Sequence, residues 1–114
     1  MQQRLALHIG KALKVYAETY TSEIGTLTKV YRQNWFKMNG VNFVSHAANQ
    51  IQMIGTPVPL SAPTVLVRTT FDDDIFEARY ICKGPDYVEI ARVLLPESQV
   101  MLIPMDKVIG LQFT

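Results

Sequence analysis

The sequence predicts an all-β protein, and three observations carry that prediction. Apolar and polar residues alternate with a period of two: Leu13, Val15 and Ala17 against Lys14, Tyr16 and Glu18, then Val65, Val67 and Thr69 against Leu66, Arg68 and Thr70. Turn-forming residues separate short runs rich in Val, Ile, Thr and aromatics. The chain also resembles itself, because Ala12 to Met38 aligns without a gap to Thr64 to Ile90 at an offset of 52 residues. Each copy reads as a strand, a polar turn and a long hairpin, then a closing apolar strand pair, Phe43 to Ile54 and Val100 to Phe113. A repeat of about fifty residues made of short strands implies two small barrels or one composite sheet.

Each element follows from local chemistry. Gly10 marks a turn before the first strand, and Tyr20-Thr21-Ser22-Glu23 is a polar turn after it. Ile24 to Tyr31 is β-type, with Thr26, Thr28 and Val30 expected on one face. Arg32-Gln33-Asn34 turns the chain into Trp35 to Met38. Asn39-Gly40 is the strongest hairpin signal because both residues tolerate positive φ, so Val41 to Val44 returns antiparallel. In the second copy, Asp72-Asp73-Asp74 and Lys83-Gly84-Pro85-Asp86 are turns, and Ile75 to Cys82 and Tyr87 to Leu94 are strands. A loop follows at Pro96-Glu97-Ser98, and Val100 to Ile103 with Val108 to Phe113 is interrupted at Pro104. Helix is expected only in Met1 to Leu7 and within Ser45 to Gln52.

Residues 57–63 contain three prolines and cannot continue a ladder, so they read as a stiff linker between a first unit, 1–56, and a second, 64–114. Halves near 55 residues lie close to the lower limit for independent folding, so each needs support from the other or from further copies. With 48% hydrophobic and 18% charged residues, an oligomer is expected. The single cysteine, Cys82, rules out an internal disulfide, and His8 and His46 supply no metal-ligand spacing. A reducing, cytoplasmic setting fits, in a bacterium or encoded by a phage. No apolar run has spanning length, so no membrane partner is expected.

Net charge is +1, but it is unevenly shared: residues 1–54 carry six Lys and Arg against two Glu, and residues 55–114 carry five against eight acids. That asymmetry suits head-to-tail contact between unlike faces, or a nucleic-acid surface confined to the first half. No nucleophile with a base, phosphate-binding glycine loop or convincing acid pair is present, so no catalytic residues, cofactor or metal are expected.

The run TVLVRTTFDDDIFEARYICKGPDYVEI, Thr64 to Ile90, resembles the first motif of the Sm/LSm family, which includes bacterial Hfq. MLIPMDKVIGL, Met101 to Leu111, is similar to that family's closing segment. IGKALKV, Ile9 to Val15, and VSHAANQI, Val44 to Ile51, resemble its first strand and a His-Ala loop. The resemblance implies two tandem Sm-like, SH3-type strongly bent barrels, a ring-shaped homo-oligomer, and non-catalytic binding of single-stranded RNA or DNA. Three chains would then supply six barrels. The stacking aromatic of the family corresponds to Trp35 and Tyr87. Its base-reading Asn corresponds to Lys37 and Glu89, neither of which presents an amide's paired donor and acceptor. His46 and Asn49 occupy the His-containing loop; in the second copy the matching loop, Pro104 to Lys107, keeps only Lys107 as an expected phosphate contact, and Lys83 with Tyr87 is a secondary binding residue.

The RNA-binding set is therefore Trp35, Lys37, His46, Asn49, Tyr87 and Lys83. Aromatics at turn tips stack on unpaired bases, and the flanking cations attract phosphate. The competing reading has Trp35 and Tyr87 plugging barrel ends or a subunit interface, in a structural or assembly module of a phage particle or larger complex. Asp72-Asp73-Asp74 is expected to be a solvated turn, and Cys82 to be buried and inert.

Overall fold

The computed structural model describes residues 1–93 and 98–114; of the loop expected at Pro96-Glu97-Ser98, Pro96 and Glu97 lie outside them, and Ser98 already belongs to a strand. The protein is all-β. A short helix, α1 (Gln2–Ala6), precedes strands β1 (Ala12–Tyr16), β2 (Gly25–Val30), β3 (Trp35–Met38), β4 (Val41–Val44) and β5 (Gln50–Met53). After residues 54–63 come β6 (Thr64–Thr69), β7 (Phe76–Lys83), β8 (Tyr87–Val93), β9 (Ser98–Pro104) and β10 (Val108–Phe113). One-turn 3-10 helices, Ser45–Ala47 and Met105–Lys107, lead into β5 and β10.

All ten strands join one antiparallel sheet in the order β10-β6-β7-β8-β9-β5-β1-β2-β3-β4, and it does not close on itself. The first five strands therefore lie as β5-β1-β2-β3-β4 and the last five as β10-β6-β7-β8-β9. Register matches residue by residue: Leu13 opposes Met53 as Val65 opposes Phe113, and Val15 opposes Ile51 as Val67 opposes Leu111. Trp35 likewise opposes Val44 as Tyr87 opposes Pro104.

The closing segments are not strand pairs as the sequence implied. β4 pairs with β3, while β5 crosses to pair with β1 and β9; β9 and β10 are likewise separated by β6, β7 and β8. The physical reason is the 3-10 turn, which redirects the chain away from a hairpin return and leaves β5 free to satisfy the edge of β1.

Two cores share this sheet. Leu13, Val15, Leu27, Phe36, Met38, Ile51 and Met53 fill the first, together with Met1 and Leu5 of α1. Val65, Val67, Phe76, Ala78, Val88, Ile90, Met101 and Ile103 fill the second. Ala91, Val100 and Leu102 leave the second half's own core and enter the first, so β8 and β9 are buried on both faces. That explains the unbroken apolar run Val100 to Ile103, since a strand covered on both sides loses its alternation. A five-residue helix is unstable alone. It is held by Met1 and Leu5 in the core and by Arg4, which grips the buried Glu89 carboxylate through two bonds of 2.6 and 2.9 Å.

Bulges correct two expectations. Register between β2 and β3 shifts from Leu27↔Met38 to Lys29↔Lys37, skipping Thr28. Val30 consequently packs on the first core, away from the face of Thr26 and Thr28. A second shift, skipping Ile81, sends Ile81 against the first core and leaves Cys82 only half-buried, its Sγ 4.0 Å from the Tyr87 hydroxyl. Asp72 to Asp74 forms a bend in which Asp73 and Asp74 are exposed and Asp72 is half-buried, its Oδ1 accepting the Asp74 N–H at 3.1 Å and its Oδ2 3.9 Å from Arg92. No helix among the described residues is long and apolar enough to cross a membrane.

Candidate nucleic-acid interface

Two tight turns build the first candidate surface. Gln33 and Asn34 both adopt positive φ, 60° and 68°, in the three-residue loop Arg32 to Asn34, across which Tyr31 N–H donates to the Trp35 carbonyl at 2.8 Å. Asn39 and Gly40, at 52° and 75°, make the second turn and bring β4 back beside β3. Phe36 and Met38 point into the core. Trp35 and Lys37 therefore take the opposite face, where Lys37 stands between Lys29 of β2 and Asn42 of β4.

Trp35 is 43% exposed. With Tyr31 and Asn42 it lines an open depression of about 430 Å³. Lys29 Nζ lies over the Tyr31 ring, 4.9 Å from its centre, a cation–π distance. Two aromatics, two lysines and an amide thus share one sheet face. Of these, Lys29 and Asn42 were not singled out from sequence, while Tyr31 opens the interleaved aromatic and basic run Tyr31 to Lys37. The bulge at Thr28 changes the parity that a strict alternation assigns to Lys29 and Tyr31, and the placement of Asn42 depends on the β3–β4 pairing.

The other sequence candidates lie elsewhere. His46, in the first 3-10 helix, meets the second half: its Nε2 is 3.3 Å from Asp86 Oδ2, close enough for attraction but out of line for a hydrogen bond. Asp86 Oδ1 accepts from the Met1 amino group at 2.6 Å. Burial pushes the Asp86 carboxyl up, but the hydrogen bond and charge of the Met1 amine, with attraction to His46, outweigh it and hold the carboxyl below its ordinary value. Tyr87 is half-buried against the first core, its ring over Gly84. Burial and the neighbouring Cys82 raise its hydroxyl above the usual value. Glu89 is occupied by Arg4, so the second half's counterpart of Lys37 is not free for a base.

Lys83 is exposed at the end of β7, opposite Val88. Asn49 lines a separate polar cleft of about 450 Å³ with Glu18, Thr70, Phe71 and Lys107. The structure thus brings Trp35 and Lys37 together, places His46 beside the Asp86–Tyr87 turn, which the chain enters at Lys83, and sets Asn49 in a separate cleft. No group of three or more His, Cys, Asp or Glu among the described residues is arranged to hold a metal.

No family model, curated protein or solved structure matches this chain. Its fold defines a class: an all-β protein of one open ten-stranded antiparallel sheet. The site defines no more than a basic, aromatic face on β2, β3 and β4.

Proposed function

We propose that the chain is a tandem Sm-like protein that binds single-stranded RNA or DNA without catalysis and works as a ring-shaped homo-oligomer. Residues 1–56 and 64–114 are the two Sm-like units, joined by the proline-rich segment 57–63. One observation carries the binding half of this reading: Trp35 and Tyr31 share an exposed sheet face with Lys29 and Lys37. An unpaired base has a π-face for the aromatics, and its phosphate finds the ammonium groups within reach. Lys37 carries no acceptor, so recognition rests on stacking and charge and tolerates many sequences. The repeated strand order and register support the tandem part.

The test is a binding isotherm for labelled oligo(U), oligo(A) and single-stranded DNA at several salt concentrations, with particle mass from light scattering. Salt-sensitive association with at least one oligonucleotide is expected. Its absence from all three sinks the binding reading. A second reading, an assembly module that contacts only protein, is favoured by Tyr87, which sits half-buried against the first core in the very place that corresponds to Trp35. If Trp35 has the same role towards another chain, its replacement breaks assembly rather than binding.

A further inference from the structure

The two units place different chemistry on the same hydrogen-bonding frame. Tyr31 N–H donates to the Trp35 carbonyl as Gly84 N–H donates to that of Tyr87, at 2.8 and 3.0 Å, so Gly84 stands where the first unit has Tyr31. Strand pairing extends the match: Lys29 and Asn42 oppose Lys37, while Cys82 and Leu102 oppose Glu89. Every member of the basic aromatic face therefore has a counterpart, and the counterparts lack its chemistry. Lys29 and Lys37 give way to a thiol and a carboxylate, and Asn42 to a leucine sealed in the first core. A carboxylate in that place repels a phosphate.

The exchange of Tyr31 for Gly84 sets where the neighbouring ring lies. A Cβ added at Gly84 would stand 2.2 Å from Tyr87 Cε1, so the Tyr87 ring rests on bare backbone that only glycine provides. Tyr87 accordingly packs against the first core, half-buried, with Cys82 Sγ 4.0 Å from its hydroxyl. In the first unit the same place carries the Tyr31 side chain. Trp35 has no bare backbone to settle on, and it stays 43% exposed with Tyr31 as the other aromatic wall of the depression. The helix α1 completes the contrast. Arg4 takes both oxygens of the Glu89 carboxylate, whereas Lys29 and Lys37 form no ion pair among the described residues. Gln2 Nε2 donates to the Tyr31 carbonyl, so the same helix tethers the backbone of the open site.

We infer that each chain offers one nucleic-acid site, on its first unit, which Tyr31 holds open by propping Trp35 away from the backbone, while Gly84 and α1 close the equivalent face of the second unit. This rests on the nucleic-acid reading above and fixes how many ligands that reading allows. Tyr31 is a positioning residue for Trp35 as well as a wall of the site. Arg4 is the internal occupant of the closed face, its guanidinium lying on the carboxylate that replaces Lys37. An oligomer built from such chains presents its binding faces on alternate units only.

The chain has one tryptophan, so its fluorescence reports this ring alone. In the full chain, Tyr31→Gly is expected to shift the emission to shorter wavelength and to reduce its quenching by acrylamide, while Tyr31→Phe keeps the wild-type spectrum. Unchanged emission in Tyr31→Gly overturns the propping role. Gly84→Ala runs the contrast in reverse and keeps the test open should Tyr31→Gly fail to fold. Its Cβ displaces the Tyr87 ring, so nitration of Tyr87 by tetranitromethane, read by mass spectrometry, is expected to rise; nitration equal to wild type overturns the role of Gly84. Neither measurement needs an oligonucleotide, so both stand apart from the binding reading. Site number is counted by equilibrium dialysis against a saturating trinucleotide of the type that binds in the isotherms, with Trp35 emission followed on the same samples. One trinucleotide per chain, bound in step with the change in Trp35 emission, is expected. A second one bound after that change is complete overturns the closure of the second unit and leaves the nucleic-acid reading intact. No association with any oligonucleotide sinks that reading, and the count of one with it.

Discussion

Trp35→Ala separates the two readings of the basic aromatic face, because it removes the ring while leaving Lys29, Lys37 and the buried Phe36 and Met38 in place. The indole is 43% exposed. Its loss is expected to cost the fold about 1 kcal/mol or less, well under the value for a fully buried side chain. Stacking on a base contributes about 1 to 3 kcal/mol, so the oligonucleotide Kd is expected to rise about 5- to 150-fold. The assay is fluorescence anisotropy with labelled oligo(U) at fixed salt, with particle mass measured on the same samples. Weakened binding by an intact multimer is the expected result. An unchanged Kd would refute stacking by Trp35. Loss of binding together with loss of the multimer would show that the side chain is a wall of a subunit contact, and the assembly reading would replace the first.

Further predictions address charge, core and pH. Lys29→Ala and Lys37→Ala should each lower the slope of log K against log salt by about 0.7, the increment for one phosphate contact on a single strand; an unmoved slope removes that lysine from the interface. Phe36→Ala deletes a fully buried ring from the first core, and urea unfolding should show a loss of about 3 to 5 kcal/mol. His8 is buried, and burial lowers its pKa below 6.5. The unfolded chain therefore takes up this proton more readily, so stability is full above pH 6.5 and falls as pH drops through the folded value. His8→Leu should flatten that part of the pH profile. Asp86, held below 3.8 by the Met1 amine and His46, acts with the same sign at lower pH. Asp86→Asn should remove its share of the acid limb, and an identical limb in the variant would contradict the ion pair.

Some of the fold was legible because the residues concerned obey local rules. Asn39 and Gly40 take the positive φ of a two-residue turn wherever they lie between extended segments, and they do so here. Leu13 and Val15 alternate with polar neighbours because β1 is covered on one face. The faces of Val30 and Ile81 were not legible, since a bulge is fixed by how two strands twist against each other and leaves no mark in either alone. The site divides in the same way. Trp35 and Lys37 are two apart and share a face by periodicity. Tyr31 and Asn42 join them only through two turns, and His46 reaches Asp86 only across the joint between halves.

By itself the sequence determined the all-β class, the strand-free proline-rich segment between β5 and β6 and the hairpin at Asn39-Gly40, because these depend on φ preferences and on periodicity over a few residues. Only the tertiary structure decided that β5 leaves β4 to pair with β1 and β9, that β8 and β9 serve two cores, and that β4 and β10 remain open. Backbone hydrogen bonding between distant strands carries almost no side-chain code, so which edges meet is settled by the shape of the whole sheet.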